Sequence, residues 1–419
     1  MGKRFIIKES TRNRCKVFKL SDERRTHFQP ISLELFHFLY KAQTIDFSIY
    51  IRVADEMIEY IKATELSQEL LRHIWLASMK EEAEVEICVL KKDHPKFTRV
   101  INTVRDSKIK VLVEKHPALD RKTLQVFNDL SGASQMVLRG GLNKSVAAQV
   151  KAAASYMVSN LMENDFAMST LSKMITIDPT LYDHSASVAM FGGIMAKQYL
   201  KEKIGTKQTE IIAQCGLYHD AGKACIPNSI LNKPGSFTEE EFEVMKTHAV
   251  LGYKDLTKAI ENGSPIDDVV ARVALEHHER FTGHGYPHGL KGRYEEDEKN
   301  GIHVYARIIA IADSYSALLM ERVYKPALPA KKAIELLEQN AMNHFDPDIF
   351  LPFIDSMKRS LQLLSEREKN MHGQIYVVEE GENTASKIKE TQKKNMPLST
   401  EKHSHSCSHH KPVIKKTPS

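Results

Sequence analysis

Apolar and polar positions alternate from Phe47 to Val53, which predicts a strand, and Met57 to Ala63 and Glu84 to Leu90 read the same way. Leu66 to Ser78 and Lys96 to Lys108 follow helical spacing instead. Residues 1–115 are therefore expected to form a small α/β module with a regulatory role. Arg121 to Lys173 is helical, with a break at Gly140-Gly141 and Asn143 placed to start the next helix. Residues 116–177 read as a helical connector. From Asp178 to about Leu364, helical stretches alternate with Gly- and Pro-rich loops and strand signal is almost absent, so 178–365 is expected to be an all-α bundle. Beyond Arg367 the chain is polar and Lys-rich, which predicts a disordered tail over 366–419. The run Gln374-Ile375-Tyr376-Val377-Val378 is the one stretch of it that could pair as a strand.

Five helices of the bundle carry an ionisable residue on the apolar face. His184 shares its face with Leu181, Val188 and Phe191. His219 follows Ile212 and Cys215, with Asp220 adjacent. His248 follows Phe242 and Met245. His277 follows Val270 and Val273, with His278 beside it, and Asp313 follows Ala306, Ile309 and Ala310. Any one of these alone is an ordinary core histidine or carboxylate. Seven together would bury polar groups without partners unless a cation gathers them. Seven ligands exceed one tetrahedral zinc and suit two adjacent metals, with Asp220 able to bridge because a carboxylate has two oxygens. Imidazole and carboxylate without thiolate point to Fe, Mn or Zn rather than Cu(I) or Ca.

Composition narrows the setting. The chain has 419 residues, 42% hydrophobic and 27% charged, enough for a sizeable core and too long for one ordinary domain. Of the net charge of +5, the segment from Glu366 onward supplies +3, so the first 365 residues are close to neutral and nucleic acid is demoted as a partner. No stretch has the roughly 20 apolar residues of a membrane span. Met1-Gly2-Lys3-Arg4-Phe5 leads into polar sequence, unlike a secretory signal. Five scattered cysteines (Cys15, Cys88, Cys215, Cys225, Cys407) fit a reducing compartment, and a cytoplasmic location is expected. The tail holds His403, His405, His409 and His410, either a loose metal-handling segment or a plain polar end.

The loops add phosphate-type chemistry. Lys223 follows His219-Asp220-Ala221-Gly222 and could meet a phosphate oxygen. Phe281-Thr282-Gly283-His284-Gly285-Tyr286-Pro287 is too glycine-rich for helix and alone would be a plain turn. Arg322, Tyr324 and Lys325 beyond the Asp313 helix suit a nucleotide or a solvated helix end about equally.

The series as a whole is recognisable. His184, His219-Asp220-Ala221-Gly222-Lys223, Ile226 to Gly235, Met245-Lys246-Thr247-His248, His277-His278-Glu279-Arg280 with Gly283 to Pro287, and Ala306 to Asp313 closely resemble the HD-GYP family, bacterial phosphodiesterases of cyclic di-GMP within the HD phosphohydrolase superfamily. The resemblance runs from about Asp178 to Leu364 with order and spacing preserved. It implies one metal held by His184, His219, Asp220 and Asp313, and a second by Asp220, His248, His277 and His278. The two divalent ions, iron or manganese first, would activate a bridging hydroxide that opens cyclic di-GMP to linear pGpG and onward to GMP. Asp220 and Lys223 would be catalytic, and Lys223, Tyr286, Arg322 and Lys325 would contact the dinucleotide.

This sequence departs from the family pattern at several points. Thr180 stands where members with a third metal carry an acidic residue, so two metals are expected. Thr282 replaces a usual Asp, His284 a common Ser, and Val323 a frequent Pro, while Arg293 to Tyr305 is longer than usual and acidic in its first half. These changes leave a second function class open: a receptor that binds cyclic di-GMP with little turnover and signals through a protein partner, at the Gly285-Tyr286-Pro287 loop or the N-terminal module, with a homodimer compatible with either class. A phosphohydrolase of hybrid cyclic dinucleotides or mononucleotides is a third.

Overall fold

The computed structural model describes residues 16–19, 27–31, 38–39, 42, 44–53, 56–63, 66, 69–71, 85–161, 163–178, 181, 183–200, 204–231, 233, 235–320, 328–340 and 344–393. Near the N-terminus, five strands form an antiparallel sheet: β1 (Lys16–Lys19), β2 (Phe28–Pro30), β3 (Ile49–Val53), β4 (Glu56–Ile61) and β5 (Val85–Leu90), in the order β1-β4-β3-β5-β2. Opposite charges meet directly across the ladder where Arg52 pairs with Glu86. Helix α1 (His94–Lys115) buries Phe97, Ile101, Val104, Arg105, Ile109 and Leu112, a stripe at steps of three and four. Phe97 meets Phe47, just ahead of β3, edge-on with ring centroids 5.9 Å apart. The expected helix over Leu66 to Ser78 falls mostly outside the described residues.

The rest is helical. It comprises α2 (Arg121–Gly140), α3 (Lys144–Leu161), α4 (Ala167–Ile177), α5 (His184–Leu200), α6 (Thr206–Tyr218), α7 (Asn228–Leu231), α8 (Glu239–Glu261), α9 (Asp268–Glu276), α10 (Val304–Leu319), α11 (Ala330–Asn340) and α12 (Pro347–Lys393). Side chains cap several of their starts: Asp120 accepts from Thr123 N, Asn143 from Val146 N as expected, and Thr238 forms a capping box with Glu241. Ser185 to Ala196 of α5 are buried on every side, so α5 is the axis around which α6 and α10 pack. Phe191 of α5 meets Tyr315 of α10 with centroids 5.0 Å apart at 70°, an edge contact worth about 0.5–1.5 kcal/mol beyond its burial.

Two expectations change. The backbone is helical to Lys393 where a tail without structure was expected from 366, and 374–378 is helix rather than strand. Residues 394–419, with the tail histidines, lie outside the described residues. Through Glu368 the chain packs as one compact unit.

The acidic stretch 293–305 is folded rather than loose. Asp297 caps the amides of Lys299 and Asn300, and the Arg272 guanidinium lies 3.9 Å over the Tyr294 ring. Beneath it, the fully buried Asp346 side chain accepts from Arg293 Nε and Nη2 at 3.0 Å each, from Asp348 N at 3.1 Å, and from the buried Arg307. Burial works against the Asp346 charge, but the bonds from Arg293, the Asp348 amide and Arg307 outweigh it and hold the carboxyl below its ordinary value.

Asp346→Ala should destabilise the unit by about 3–5 kcal/mol in urea unfolding, because it strands a buried guanidinium. A depressed folded pKa stabilises above the unfolded value of 3.8 and loses that contribution as pH falls through the folded value. The stability gap between wild type and Asp346→Asn should therefore be full near neutrality and narrow below about pH 4. A gap that does not change with pH contradicts this.

Candidate metal centre

Five chain segments converge on one buried point. His184 opens α5, and His219 and Asp220 follow α6 directly. His248 lies mid-way along α8, His277 and His278 follow α9, and Asp313 sits in α10. Close backbone approach makes this possible: a Cβ on Gly222 would lie 2.0 Å from His248 O and 2.4 Å from Gly252 N, so only glycine lets the turn after Asp220 rest on α8. The faces predicted from spacing hold except at Phe242, which is 46% exposed with Lys246 over its ring, so the burial of His248 rests on Met245, Ala249 and Gly252 instead.

The donor atoms fall into two groups, each within 4.8 Å: Asp220, His248, His277 and His278, and His184, His219 and Asp313. Asp220 faces both. Its Oδ2 lies 3.1 Å from His219 Nε2 and 3.8 Å from His184 Nε2, while Oδ1 lies 3.4 Å from His248 Nε2 and 3.9 Å from His277 Nε2. Asp313 Oδ1 is 3.0 Å from His184 Nε2, and Oδ2 is 4.0 Å from His278 Nδ1.

Hydrogen bonds fix the tautomers. Nδ1 of His219, His248 and His277 lies 2.7, 2.7 and 2.9 Å from the carbonyl three residues earlier, on Gly216, Met245 and Ala274. A carbonyl only accepts, so Nδ1 carries a hydrogen, and in the neutral ring Nε2 turns a bare lone pair inward. Nε2 of His248 and His277 are 3.4 Å apart. Nε2 of His219 and Oδ1 of Asp220 are buried with no hydrogen-bond partner. Lone pairs and carboxylate oxygens facing one another without hydrogens repel unless a cation lies between them, and the donor set therefore fits metal.

The charges agree. Burial, reinforced by the neighbouring imidazoles, pushes His277 far below its ordinary pKa, burial brings His278 to about 4, and burial lowers His248, so all three rings are neutral, the ligating form. Burial opposes the charges of Asp220 and Asp313, but His219 and Lys223 for the first, and His184 for the second, outweigh it and hold both as carboxylates. His219 moves the other way: burial favours the neutral ring, and the Asp220 carboxylate overcomes it.

Lys223 differs from expectation in its surroundings. Its ammonium pairs with Asp220 Oδ2 at 2.6 Å, because positions three apart eclipse in the 3₁₀ turn Ala221–Cys225 that Asp220 opens. Tyr286 stacks on His278, with centroids 4.7 Å apart at 27°, and Lys246 Nζ lies 5.8 Å from its centroid. The loop carrying Tyr286 folds back so closely that a Cβ on Gly285 would lie 2.3 Å from Arg280 N. Glu279 clamps it, accepting from His288 N at 2.7 Å and Leu290 N at 3.0 Å. Neither Glu279 nor Ser316, 3.2 Å from His184 Nδ1, is marked by residue type alone. Thr282 and His284 line an open cleft of about 410 Å³ with Arg280 and His344. Arg322, Val323, Tyr324, Lys325 and Thr180 lie outside the described residues.

Residues 169–349 match the HD domain family. That match takes in every residue of the centre, from His184 to Asp313. The chain is similar to a cyclic di-GMP phosphodiesterase of Thermotoga maritima, 28% identical over 292 residues, which are 70% of this chain and 68% of the relative. It is 41% identical over 148 residues to a cyclic di-GMP phosphodiesterase response regulator of Xanthomonas campestris, covering 35% of this chain and 36% of that protein. Over 186 residues it is 35% identical to a 3'3'-cGAMP-specific phosphodiesterase of Vibrio cholerae, covering 44% of this chain and 36% of the relative. The chain thus spans about two thirds of the Thermotoga protein and little more than a third of the other two. Among the described residues no helix is long and apolar enough to cross a membrane.

In metal-free protein at about pH 6, ¹⁵N-resolved NMR should find His277 and His278 neutral, with His277 protonated on Nδ1. An imidazolium at either position contradicts the lone-pair arrangement.

Proposed function

We propose that this chain is a two-metal phosphodiesterase that hydrolyses cyclic di-GMP to linear pGpG and onward to GMP. The observation that carries this is Asp220, whose two oxygens face the two donor groups separately. Both groups contain imidazole and carboxylate and no thiol, which favours iron or manganese. His184, His219, Asp220 and Asp313 would hold one ion, and Asp220, His248, His277 and His278 the other. Bound divalent ions supply an acidified water nucleophile and neutralise charge on the phosphoryl oxygens. The family match and the cyclic di-GMP phosphodiesterase relatives support the reaction class.

The chain's own residues do the rest. Nδ1–H bonds to helix carbonyls orient His219, His248 and His277 so that their Nε2 atoms face Asp220. Lys223, paired with Asp220, would donate to a phosphoryl oxygen or to the leaving group when that carboxylate is engaged as a metal ligand. Tyr286, backed by His278, offers an aromatic face to a guanine, with Glu279 holding the loop in place. Arg322 and Lys325 would contact the dinucleotide. In this account residues 1–115 are the regulatory module, 116–177 the connector and 178–365 the catalytic domain.

One observation favours the receptor class as a second reading. Lys223 is engaged with Asp220, and Thr282 and His284 alter the loop beside Tyr286. A receptor would bind cyclic di-GMP and signal through a partner at Gly285-Tyr286-Pro287 or the N-terminal module without turnover.

Anaerobically loaded with Fe(II) or Mn(II), the protein should hydrolyse cyclic di-GMP, and Asp220→Ala should lower kcat by roughly 10³-fold or more. Lys223→Ala should cost about 10²-fold in kcat with little change in KM, since the ammonium acts on developing charge. Binding without product would establish the receptor, and preference for 3'3'-cGAMP in the same panel would reassign the substrate.

A further inference from the structure

The histidines of the centre are not all held alike. His219, His248 and His277 each meet the carbonyl three residues back in the chain. For His184 that oxygen belongs to Leu181, and it accepts from Arg105 Nη2 of α1 at 3.1 Å. Nδ1 of His184 lies instead 3.2 Å from Ser316 Oγ, one turn beyond Asp313 on α10. His184 is the first residue of α5, so no turn of its own helix precedes it. Its direction therefore depends on the segment ahead of the helix.

That segment is gripped from α1. Arg105 is 1% exposed, and Lys108, one turn on, lies 3.4 Å from Asp178 Oδ2. Both cations stand over the ring of Phe38, a buried residue of the N-terminal module, at 5.4 and 5.2 Å from its centroid. Burial works against the Arg105 charge and Asp183, adjacent to His184, favours it, while Asp183 Oδ1 accepts from Ala186 N at 3.0 Å, closing the first turn of α5. An apolar side chain of similar length would fill the same volume. The guanidinium adds attachments on both sides of the His184 approach: a hydrogen bond to the Leu181 oxygen and attraction to the Asp183 carboxylate. A buried cation is costly unless its partners are well placed, so α1 and this segment are held in one relative position.

We propose that Arg105 is a positioning residue for His184. By holding the Leu181 carbonyl it directs the imidazole to Ser316, and it ties the N-terminal module to occupancy of the metal position formed by His184, His219 and Asp313. This rests on the dinuclear centre proposed above. His219, His248 and His277 are held within their own segments, so a displacement of α1 is felt first at His184. The position at Asp220, His248, His277 and His278 keeps its ligands. The N-terminal module thereby acquires a physical route to the centre: Phe38, then Arg105 and Lys108, then the segment 178–183, then His184.

Metal-freed full-length protein titrated with Mn(II), with free ion read by electron paramagnetic resonance, separates the cases. Wild type should bind two ions per chain. Arg105→Gln should weaken one binding event by about 10–100-fold and leave the other unchanged. Lys108→Ala, which removes the partly exposed ion pair with Asp178 and the cation over the Phe38 ring, should weaken the same event by about 2–5-fold, and it decides the matter if Arg105→Gln does not fold. Asp346→Asn, destabilised elsewhere in the same unit, should keep both affinities. Two events at wild-type affinity in the Arg105 and Lys108 variants, or equal weakening of both events, would overturn the positioning role while sparing the dinuclear centre. Wild type binding fewer than two ions would overturn the centre itself, and the proposal with it.

Discussion

A carboxylate buried among imidazole lone pairs is the constraint on which the structure turns. Asp220 is 4% exposed, and its two oxygens point into two sets of donors whose hydrogens have been directed elsewhere. Without a cation this arrangement places acceptor against acceptor. Much of the surrounding architecture serves to tolerate it: helix carbonyls take the Nδ1 hydrogens, Lys223 covers one oxygen, and α5 sits buried on all sides so that five segments can meet. In the proposed reading, bound ions would offset the repulsion the chain has built in.

A second set of charges does the purely structural part. Asp346 with Arg293 and Arg307 locks the start of α12 to the loop that follows α9, the same loop that carries Tyr286 and Glu279. The acidic stretch 293–305 belongs to this support through Glu295 and Asp297, which explains its sign: it faces Arg307 and its own backbone amides rather than a ligand. The two networks differ in kind. One satisfies every buried charge with protein groups, and the other leaves Nε2 of His219 and Oδ1 of Asp220 unsatisfied.

The centre was legible in the sequence because ligands on amphipathic helices follow the same three-and-four periodicity as the core. His184, His219, Asp220, His248, His277, His278 and Asp313 could be picked out as polar interruptions of apolar faces. Sheet strands around Ile51 and Val89 were visible from alternation, but strand order was not, since pairing depends on contacts between distant segments. The Lys223–Asp220 pair was hidden because a turn of 3₁₀ rather than α geometry sets it. Arg105 gave no signal: an arginine in a helix is expected at the surface, and only tertiary packing shows it 1% exposed against the Leu181 carbonyl. The helix through Lys393 was missed because its polar composition carries no core-facing stripe.

Anomalous diffraction from crystals of the Mn(II)-loaded protein tests the bridging role of Asp220 most directly. The account predicts two peaks about 3.5–4 Å apart, one on each side of the Asp220 carboxylate. A single peak within the histidine cluster, or two peaks that do not share Asp220, would contradict it.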